Sequence, residues 1–321
     1  MRNDSEGNGN GDDRAYDVLV IGSANADLTV RVDRRPGPGE TVLGTDLVES
    51  AGGKGANQAA AAARLGARTA LLAAVGDDAY GELLLDAQRA AGADTAHVRV
   101  LPETRTGTAM IVVGADGDNT IIVSPGANSR LAPDDVAAAR PLVAAASVVS
   151  LQWEIPAETV RAAAVLAAET GTRVVLNPSP VPPELGRDLL AAADPLVVNE
   201  HEARHLSGAP DDTDDPAAWA RALRDRGARS VVVTLGGAGA LALDADATEP
   251  VTVPGVPVRP VDTTGAGDAF TGALAARLAS GASLTDAARF AVRVGAAAVT
   301  KPGAQPSYPT ADELPSAGEE R

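Results

Sequence analysis

Seven residues, Asp262-Thr263-Thr264-Gly265-Ala266-Gly267-Asp268, carry the clearest chemistry in the chain. Two glycines flank an alanine, an aspartate follows, and an apolar stretch with helical spacing begins near Gly267. Backbone N–H groups at a helix start lack intrahelical partners and sit at the positive end of the dipole, so they form a ready anion hole. Glycine lets such a backbone approach a phosphate closely. A carboxylate beside that hole is placed to take a proton from an attacking hydroxyl. By residue type alone, Asp268 is equally well read as a helix N-cap.

A second segment, Gly52-Gly53-Lys54-Gly55-Ala56-Asn57-Gln58, leads into another helical stretch. Its paired glycines suit a hinge, and Lys54 and Asn57 offer donors to polar substrate groups; a helix-start turn with a solvated lysine is the plainer alternative. The chain has 27 Lys+Arg, and only Lys54 and Lys301 among them are lysine. A compact ammonium at position 54 serves where a forked guanidinium would not fit.

Other patterns point elsewhere and fail on their own terms. His201-Glu202-Ala203-Arg204-His205 matches H-E-x-x-H, which on a helix would place two imidazoles one turn apart around zinc. It needs a third ligand, and the chain's remaining histidine is His97. No Walker A spacing surrounds Gly53-Lys54, and Gly22-Ser23-Ala24-Asn25-Ala26-Asp27 stands where a dinucleotide-binding protein carries G-x-G-x-x-G.

The elements that must position these residues follow a βαβ rhythm. Nearly continuous apolar runs predict strands at Val18–Ile21, Thr69–Val75, Ser147–Leu151, Arg173–Leu176, Leu196–Val198 and Ser230–Thr234. Helices are predicted between them at Ala56–Leu65, Gly81–Ala91, Ala157–Glu169, Pro216–Arg226, Gly267–Ala279 and Thr285–Val299. The result is a three-layer α/β/α body on a mostly parallel sheet. Strand-like runs without helices, Leu28–Val32 with Thr41–Val48 and Val98–Val100 with Thr108–Val113 and Thr120–Ser124, predict a small antiparallel lid. Turn signals at Pro36-Gly37-Pro38-Gly39 and Asp116-Gly117-Asp118-Asn119 separate them. One folded domain over residues 16–310 is expected, with tails at 1–15 and 311–321.

Composition narrows the classes. The chain of 321 residues carries a formal charge of −16 and no cysteine, which removes disulfides, thiolate metal sites and cysteine nucleophiles. Its acidity argues against nucleic acid or an anionic membrane as partner. No signal peptide or membrane-length apolar run is visible, so a cytoplasmic location is the default expectation. Aromatics make up only 2%, so alanine and valine must do most of the packing.

Together these segments resemble the ribokinase-like (PfkB) family of sugar and nucleoside kinases, from about Tyr16 to Pro309. The resemblance is carried by Gly22–Asp27, Gly52–Gln58, Asn119–Asn128, Leu176–Pro178, Asn199–Glu202, Thr234–Gly237, Asp262–Asp268 and Lys301–Ser307, in family order. It implies an ATP-dependent kinase, and the Gly52–Gln58 and Gly303–Ser307 pieces favour its ribose-phosphorylating branch, acting on the 5-hydroxyl. Deoxyribose, another pentose or hexose, or an adenosine-type nucleoside are the alternatives, and a non-catalytic sugar or nucleotide sensor is the rival from another class.

Residue by residue, the resemblance implies Asp268 as base, with Gly265, Ala266 and Gly267 lending amides to the transferring phosphoryl. Asn25, Ala26, Asp27, Gly53, Lys54, Gly55, Ala56, Asn57 and Glu154, with Asp268, would bind the sugar. Asn199, Glu202, Thr234, Leu235, Gly236, Gly237, Ala238, Gly239 and Gly267 would line the ATP site. Glu202 would help organise Mg²⁺ indirectly, which leaves His201 and His205 incidental. Asp262, Thr264, Ala298, Lys301, Gly303 and Ser307 would hold a monovalent cation such as K⁺, mostly through carbonyls. Exposed lid edges suggest a homodimer. Trp153 beside Glu154 and Val292, near the expected adenine site, depart from the family pattern.

Overall fold

The computed structural model describes residues 14–115, 118–210 and 214–314. Most of both expected tails, and Asp116 and Gly117 of the second turn signal, lie outside the described residues. Residues 311–313 of the expected C-terminal tail form a 3₁₀ turn, with Glu313 Oε2 accepting from the Thr310 N–H at 2.9 Å. Among the described residues no helix is long and apolar enough to cross a membrane.

In chain order the strands are β1 (Tyr16–Ile21), β2 (Asn25–Arg31), β3 (Val48–Gly52), β4 (Thr69–Gly76), β5 (Val98–Leu101), β6 (Gly107–Val113) and β7 (Asn119–Ser124). They continue as β8 (Ala146–Leu151), β9 (Arg173–Leu176), β10 (Ala193–Asn199), β11 (Val231–Thr234), β12 (Gly239–Leu243) and β13 (Val251–Pro254). The main sheet runs β13-β12-β11-β10-β9-β8-β1-β4-β5. It is parallel from β11 to β5, and β12 and β13 close one edge as an antiparallel pair. Chain order reverses at β1, so the crevice beyond its C-terminal end is where an open α/β sheet binds ligands.

Alternation along the strands splits the interior into two cores. Leu19, Ile21, Val149, Leu151, Leu176, Leu196 and Val198 face one helix layer. Their neighbours Val18, Val20, Val148, Val175 and Val197 face the other. That second layer holds the helices Lys54–Arg64, Ala79–Ala91, Ala266–Ala279 and Leu284–Ala298, packed largely through alanine. Small side chains let these helices approach closely: a Cβ on Gly272 would lie 2.5 Å from the Gln58 carbonyl oxygen and 2.8 Å from Ala61 Cβ. This contact brings the two glycine-led helix starts together.

The lid is a four-stranded sheet, β3-β2-β6-β7. Its outer pairs are antiparallel, as expected, but the central β2–β6 pair is parallel. Both strands leave the body from the same end of parallel strands, β2 after β1 and β6 after β5, so they run outward in one direction. Two strand assignments shift. Val98–Leu101 pairs in parallel with β4 and belongs to the body edge. The strand expected at Thr41–Val48 lies at Val48–Gly52 instead, because its register runs from Thr29 opposite Val48 to Asn25 opposite Gly52. The β12–β13 pair was not anticipated; Gly239-Ala240-Leu241-Ala242-Leu243 has the composition of a helix.

Candidate active site

Asp268 is the third residue of helix Ala266–Ala279 and is buried. Its two carboxylate oxygens are held from the facing helix by consecutive residues. Asn57 Nδ2 donates to Oδ2 at 3.0 Å, and Gln58 Nε2 donates to Oδ1 at 3.1 Å. No side-chain cap bond is made at this helix start, so Asp268 is not spent as the N-cap. That position is Gly265, whose φ of +73° lies in the left-handed region that glycine adopts without strain. A Cβ there would also meet Tyr308 Oη at 2.4 Å. Tyr308 Oη donates to the Gly265 carbonyl at 3.0 Å, and burial, with the charges of Asp268 and Asp27, pushes its phenol well above the usual value. Tyr308 therefore remains a proton donor that braces the turn.

Charge concentrates around Lys54, at the start of helix Lys54–Arg64. Burial works against its ammonium, but the carboxylates of Asp268, Glu154, Glu202 and Asp27 outweigh it and hold the pKa above the ordinary lysine value. Asp27, on lid strand β2, shows the opposite balance. Burial first, then the charges of Glu154 and Asp268, raise it to about 7, with Lys54 opposing. Glu154 Oε2 accepts from Ser23 Oγ at 2.6 Å and from the Lys54 backbone N–H at 2.9 Å, tying the loop after β1 to the glycine segment. Asn25 is buried, and its Oδ1 accepts from Asn128 Nδ2 at 2.7 Å.

Two adjoining cavities open on the glycine turn. The smaller, about 130 Å³, is polar and includes Lys54, Asn199, Glu202, Thr234, Gly265, Gly267 and Asp268 in its lining. Asn199 and Glu202 form a reciprocal capping box on helix Glu200–Ser207, each side chain bonding the other's backbone N–H. The larger, about 380 Å³, is mainly apolar and is walled by Val256, Val258, Phe270, Val292, Ala296 and Val299, with Gly236, Gly237 and Gly239 beside them. Thr234 and Gly267 belong to both.

Several residues expected at the sugar or nucleotide face serve the scaffold in this structure. The Gly55 and Ala56 amides are consumed by Ser23, through its Oγ and its carbonyl. Ala26 is fully buried in the lid sheet. Leu235 packs against the core, and the Ala238 carbonyl accepts from the Gly255 amide; neither lines either of these two cavities.

Of the residues expected to hold a monovalent cation, Asp262 binds two, Thr264 and Gly303. Its Oδ1 accepts from the Thr264 N–H at 2.9 Å and its Oδ2 from the Gly303 N–H at 2.8 Å, drawing the two loops together. Burial opposes ionisation, but the Gly303 and Thr264 hydrogen bonds and the Arg31 charge hold the pKa below the usual carboxylate value. The Ala298 carbonyl accepts from the Lys301 amide, and Ser307 Oγ donates to the Ala304 carbonyl. Lys301 turns its ammonium outward to Glu313 at 3.2 Å.

The H-E-x-x-H pattern is absorbed into the fold. Glu202 belongs to the capping box, and His205 Nε2 meets the Pro183 carbonyl. Sequence reasoning missed the Val256 and Val258 wall and the amides of Gln58, Gln152 and Gln305. Two valines at i, i+2 in a proline-rich stretch were the available sign of the wall.

Comparison with known proteins identifies the family. The model of the pfkB family carbohydrate kinases matches residues 15–311. Ribokinase of Bacillus subtilis (strain 168) is 39% identical over 298 residues, 92% of this chain and 97% of that protein. Deoxyribokinase of Salmonella typhimurium is 38% identical over 299 residues, 93% and 97% respectively. The solved Arabidopsis thaliana ribokinase, complexed with ribose and ATP, matches with a TM-score of 0.84 at 34% identity, covering 93% of this chain and 97% of that one. The chain belongs to the pfkB family of carbohydrate kinases and is an ATP-dependent phosphotransferase acting on a sugar hydroxyl.

Proposed function

We propose that the protein transfers the γ-phosphoryl group of ATP to the 5-hydroxyl of D-ribose. The observation that carries this reading is the placement of Asp268. Its carboxylate is held by Asn57 and Gln58 in a cavity shared with the helix-start glycines and the nucleotide-side residues Asn199 and Thr234. Ribose would lie between lid strand β2 and helix Lys54–Arg64, met by Asn25, Asp27, Lys54, Asn57 and Glu154. ATP would place its base against the apolar wall and its phosphates toward Gly265, Ala266 and Gly267.

Phosphoryl transfer asks mainly for positioning and for charge stabilisation. Asp268 accepts the hydroxyl proton as the oxygen attacks, and the helix-start amides receive the charge that develops on the phosphoryl oxygens. Closure of the lid excludes water. In a chain with a formal charge of −16, long-range attraction of ATP is unfavourable, so phosphate binding rests on these local amides and on metal. Mg²⁺ takes many of its ligands from water and substrate phosphates, and the Glu202 carboxylate, which lines the polar cavity with Asp268, fits that indirect role. When bound, the ion would offset phosphate charge. The Asp262 loops, hard oxygen donors with a single carboxylate, fit a monovalent cation such as K⁺ beside the anion hole.

The similarity to a deoxyribokinase makes 2-deoxyribose the second reading. ADP release across a panel of pentoses, hexoses and nucleosides with Mg-ATP, with and without potassium, tests both. The highest kcat/KM on ribose is expected; a preference for deoxyribose or a nucleoside replaces the substrate, and absence of turnover with every sugar favours a sensor.

We also infer that two copies pair through the lid. Met110, Ile121, Ile122 and Val123 are each at least 43% exposed on the adjacent strands β6 and β7. A dimer by light scattering at micromolar concentration is expected, with Ile122→Lys shifting it toward monomer; a wild-type monomer removes the inference.

A further inference from the structure

Behind Asp268 lies a connected set of buried amides that the reaction does not touch directly. Gln58 is fully buried on helix Lys54–Arg64. Its carbonyl oxygen accepts from Ser150 Oγ at 2.8 Å and from Gln152 Nε2 at 2.6 Å, both on the β8 side. With two donors on the carbonyl, the amide has one satisfied orientation, and its NH₂ group must point the other way. There it meets Asp268 Oδ1 at 3.1 Å and Asn177 Oδ1 at 3.2 Å. Asn177 is fixed in turn, because its own Nδ2 donates to the Val197 carbonyl at 3.0 Å. On the other carboxylate oxygen, Asn57 is held by Gln305 Nε2 at 3.0 Å to its Oδ1.

We propose that Gln58 is a positioning residue for Asp268: its clamped amide holds the carboxylate turned toward the substrate side. This rests on the reading of Asp268 as the base. An N–H aimed at a carboxylate favours its charged form, and a general base must be charged to act. The other charged or titratable groups around Asp268 are Lys54 on the same helix as Gln58, Asp27 on β2, Glu154 after β8, Glu202 on helix Glu200–Ser207 and Tyr308. None of them touches Gln58 in a hydrogen bond, so a change at Gln58 reaches Asp268 through the single Nε2 contact.

The test is the pH dependence of kcat, measured by ADP release with saturating Mg-ATP and the best sugar of the panel. Gln58→Met keeps the length and removes the donor; it is expected to lower kcat about 10- to 100-fold and to move the acid limb up by about one pH unit. Both proteins are also compared in an Asp27→Asn background, because a carboxyl that titrates at about 7 beside Asp268 would otherwise set the limb in each. A merely structural role would lower the active fraction without moving the limb, and an unmoved limb overturns the proposal. If Gln58→Met does not fold, Gln152→Met decides. That substitution removes a carbonyl oxygen that has no partner among the described residues, so it is well tolerated, and it loosens one side of the clamp. A smaller shift in the same direction is expected, and no shift overturns the proposal. Asp268→Asn runs alongside. A wild-type kcat there removes the base reading itself, whereas its collapse beside unmoved limbs in the glutamine variants removes only the role of Gln58.

Discussion

The two cavities that meet at the glycine turn are built on opposite principles. On the polar side, proposed for the sugar and the transferring phosphoryl, one ammonium, Lys54, stands among the carboxylates of Asp268, Glu154, Glu202 and Asp27; their charges hold Lys54 above its ordinary value, and burial with the Glu154 and Asp268 charges raises Asp27. On the nucleotide side Val256, Val258, Phe270, Val292 and Val299 form a wall that supplies area and shape. The sugar side is where orientation and proton transfer must be exact to a fraction of an ångström, and hydrogen bonds fix that. A flat base needs burial more than direction. The difference predicts that substitutions on the polar side act on chemistry and those on the apolar side act on affinity.

The sharpest break would come at Asp268. Asp268→Asn keeps the shape and removes the proton acceptor, and kcat is expected to fall about 10²–10⁴-fold. ADP binding, measured by calorimetry, should change little. Loss of nucleotide affinity on the same scale would mean that the two sides are not separable.

Lys54 comes next. Lys54→Met leaves four carboxylates without their shared cation, and kcat/KM for the sugar should drop about 100-fold, since a buried charge that loses its partner is costly. Lys54→Arg restores charge but not the compact ammonium, so only partial recovery is expected. Full recovery in the arginine variant would show that charge alone matters at this position.

These polar residues were legible because their types are costly to place without purpose. Asp268 and Lys54 each kept a structural reading in the sequence, a helix N-cap and a solvated helix-start lysine, which packing removes: Asp268 makes no cap bond and Lys54 lies among four carboxylates. The parallel body was legible for a related reason: strands buried on both faces read as continuous apolar runs, as at Val18–Ile21 and Arg173–Leu176. The apolar wall was hidden because Val256 and Val258 have the same composition as a core. The amides behind Asp268 were hidden because Gln58 lies in an alanine-rich helix, where a glutamine looks solvated until the facing helix is known. The lid was foreseen as a sheet but not in its register, which depends on where β3 meets β2 rather than on the apolarity of residues 41–48.

The sugar-binding role proposed for Asp27 would come at a cost to the fold. Its carboxyl titrates at about 7 in the folded protein and near 3.8 as an unperturbed group. Between those values the folded state holds the extra proton, so this group's contribution to stability is complete below pH 4 and is lost as pH rises through 7. Asp27→Asn should therefore raise Tm at pH 8 by about 3 °C. It should also weaken sugar binding about 30-fold through the lost charged acceptor. A lower Tm would mean that the Lys54 attraction exceeds the burial penalty and the repulsion from Glu154 and Asp268.

The smallest expected effect tests the apolar side alone. Ala296 lies on helix Leu284–Ala298 and lines the larger cavity beside Val292 and Val299. Ala296→Phe fills part of that volume without adding or removing a charge. KM for ATP should rise about tenfold, the range expected for overpacking, with kcat at saturating ATP and KM for the sugar within twofold of wild type. If kcat falls as far as KM rises, the wall does more than supply area: it sets the angle at which the phosphates reach Gly265–Gly267. The shared residues Thr234 and Gly267 would then be the route by which nucleotide position reaches the reacting oxygen, and the two sides would form one device.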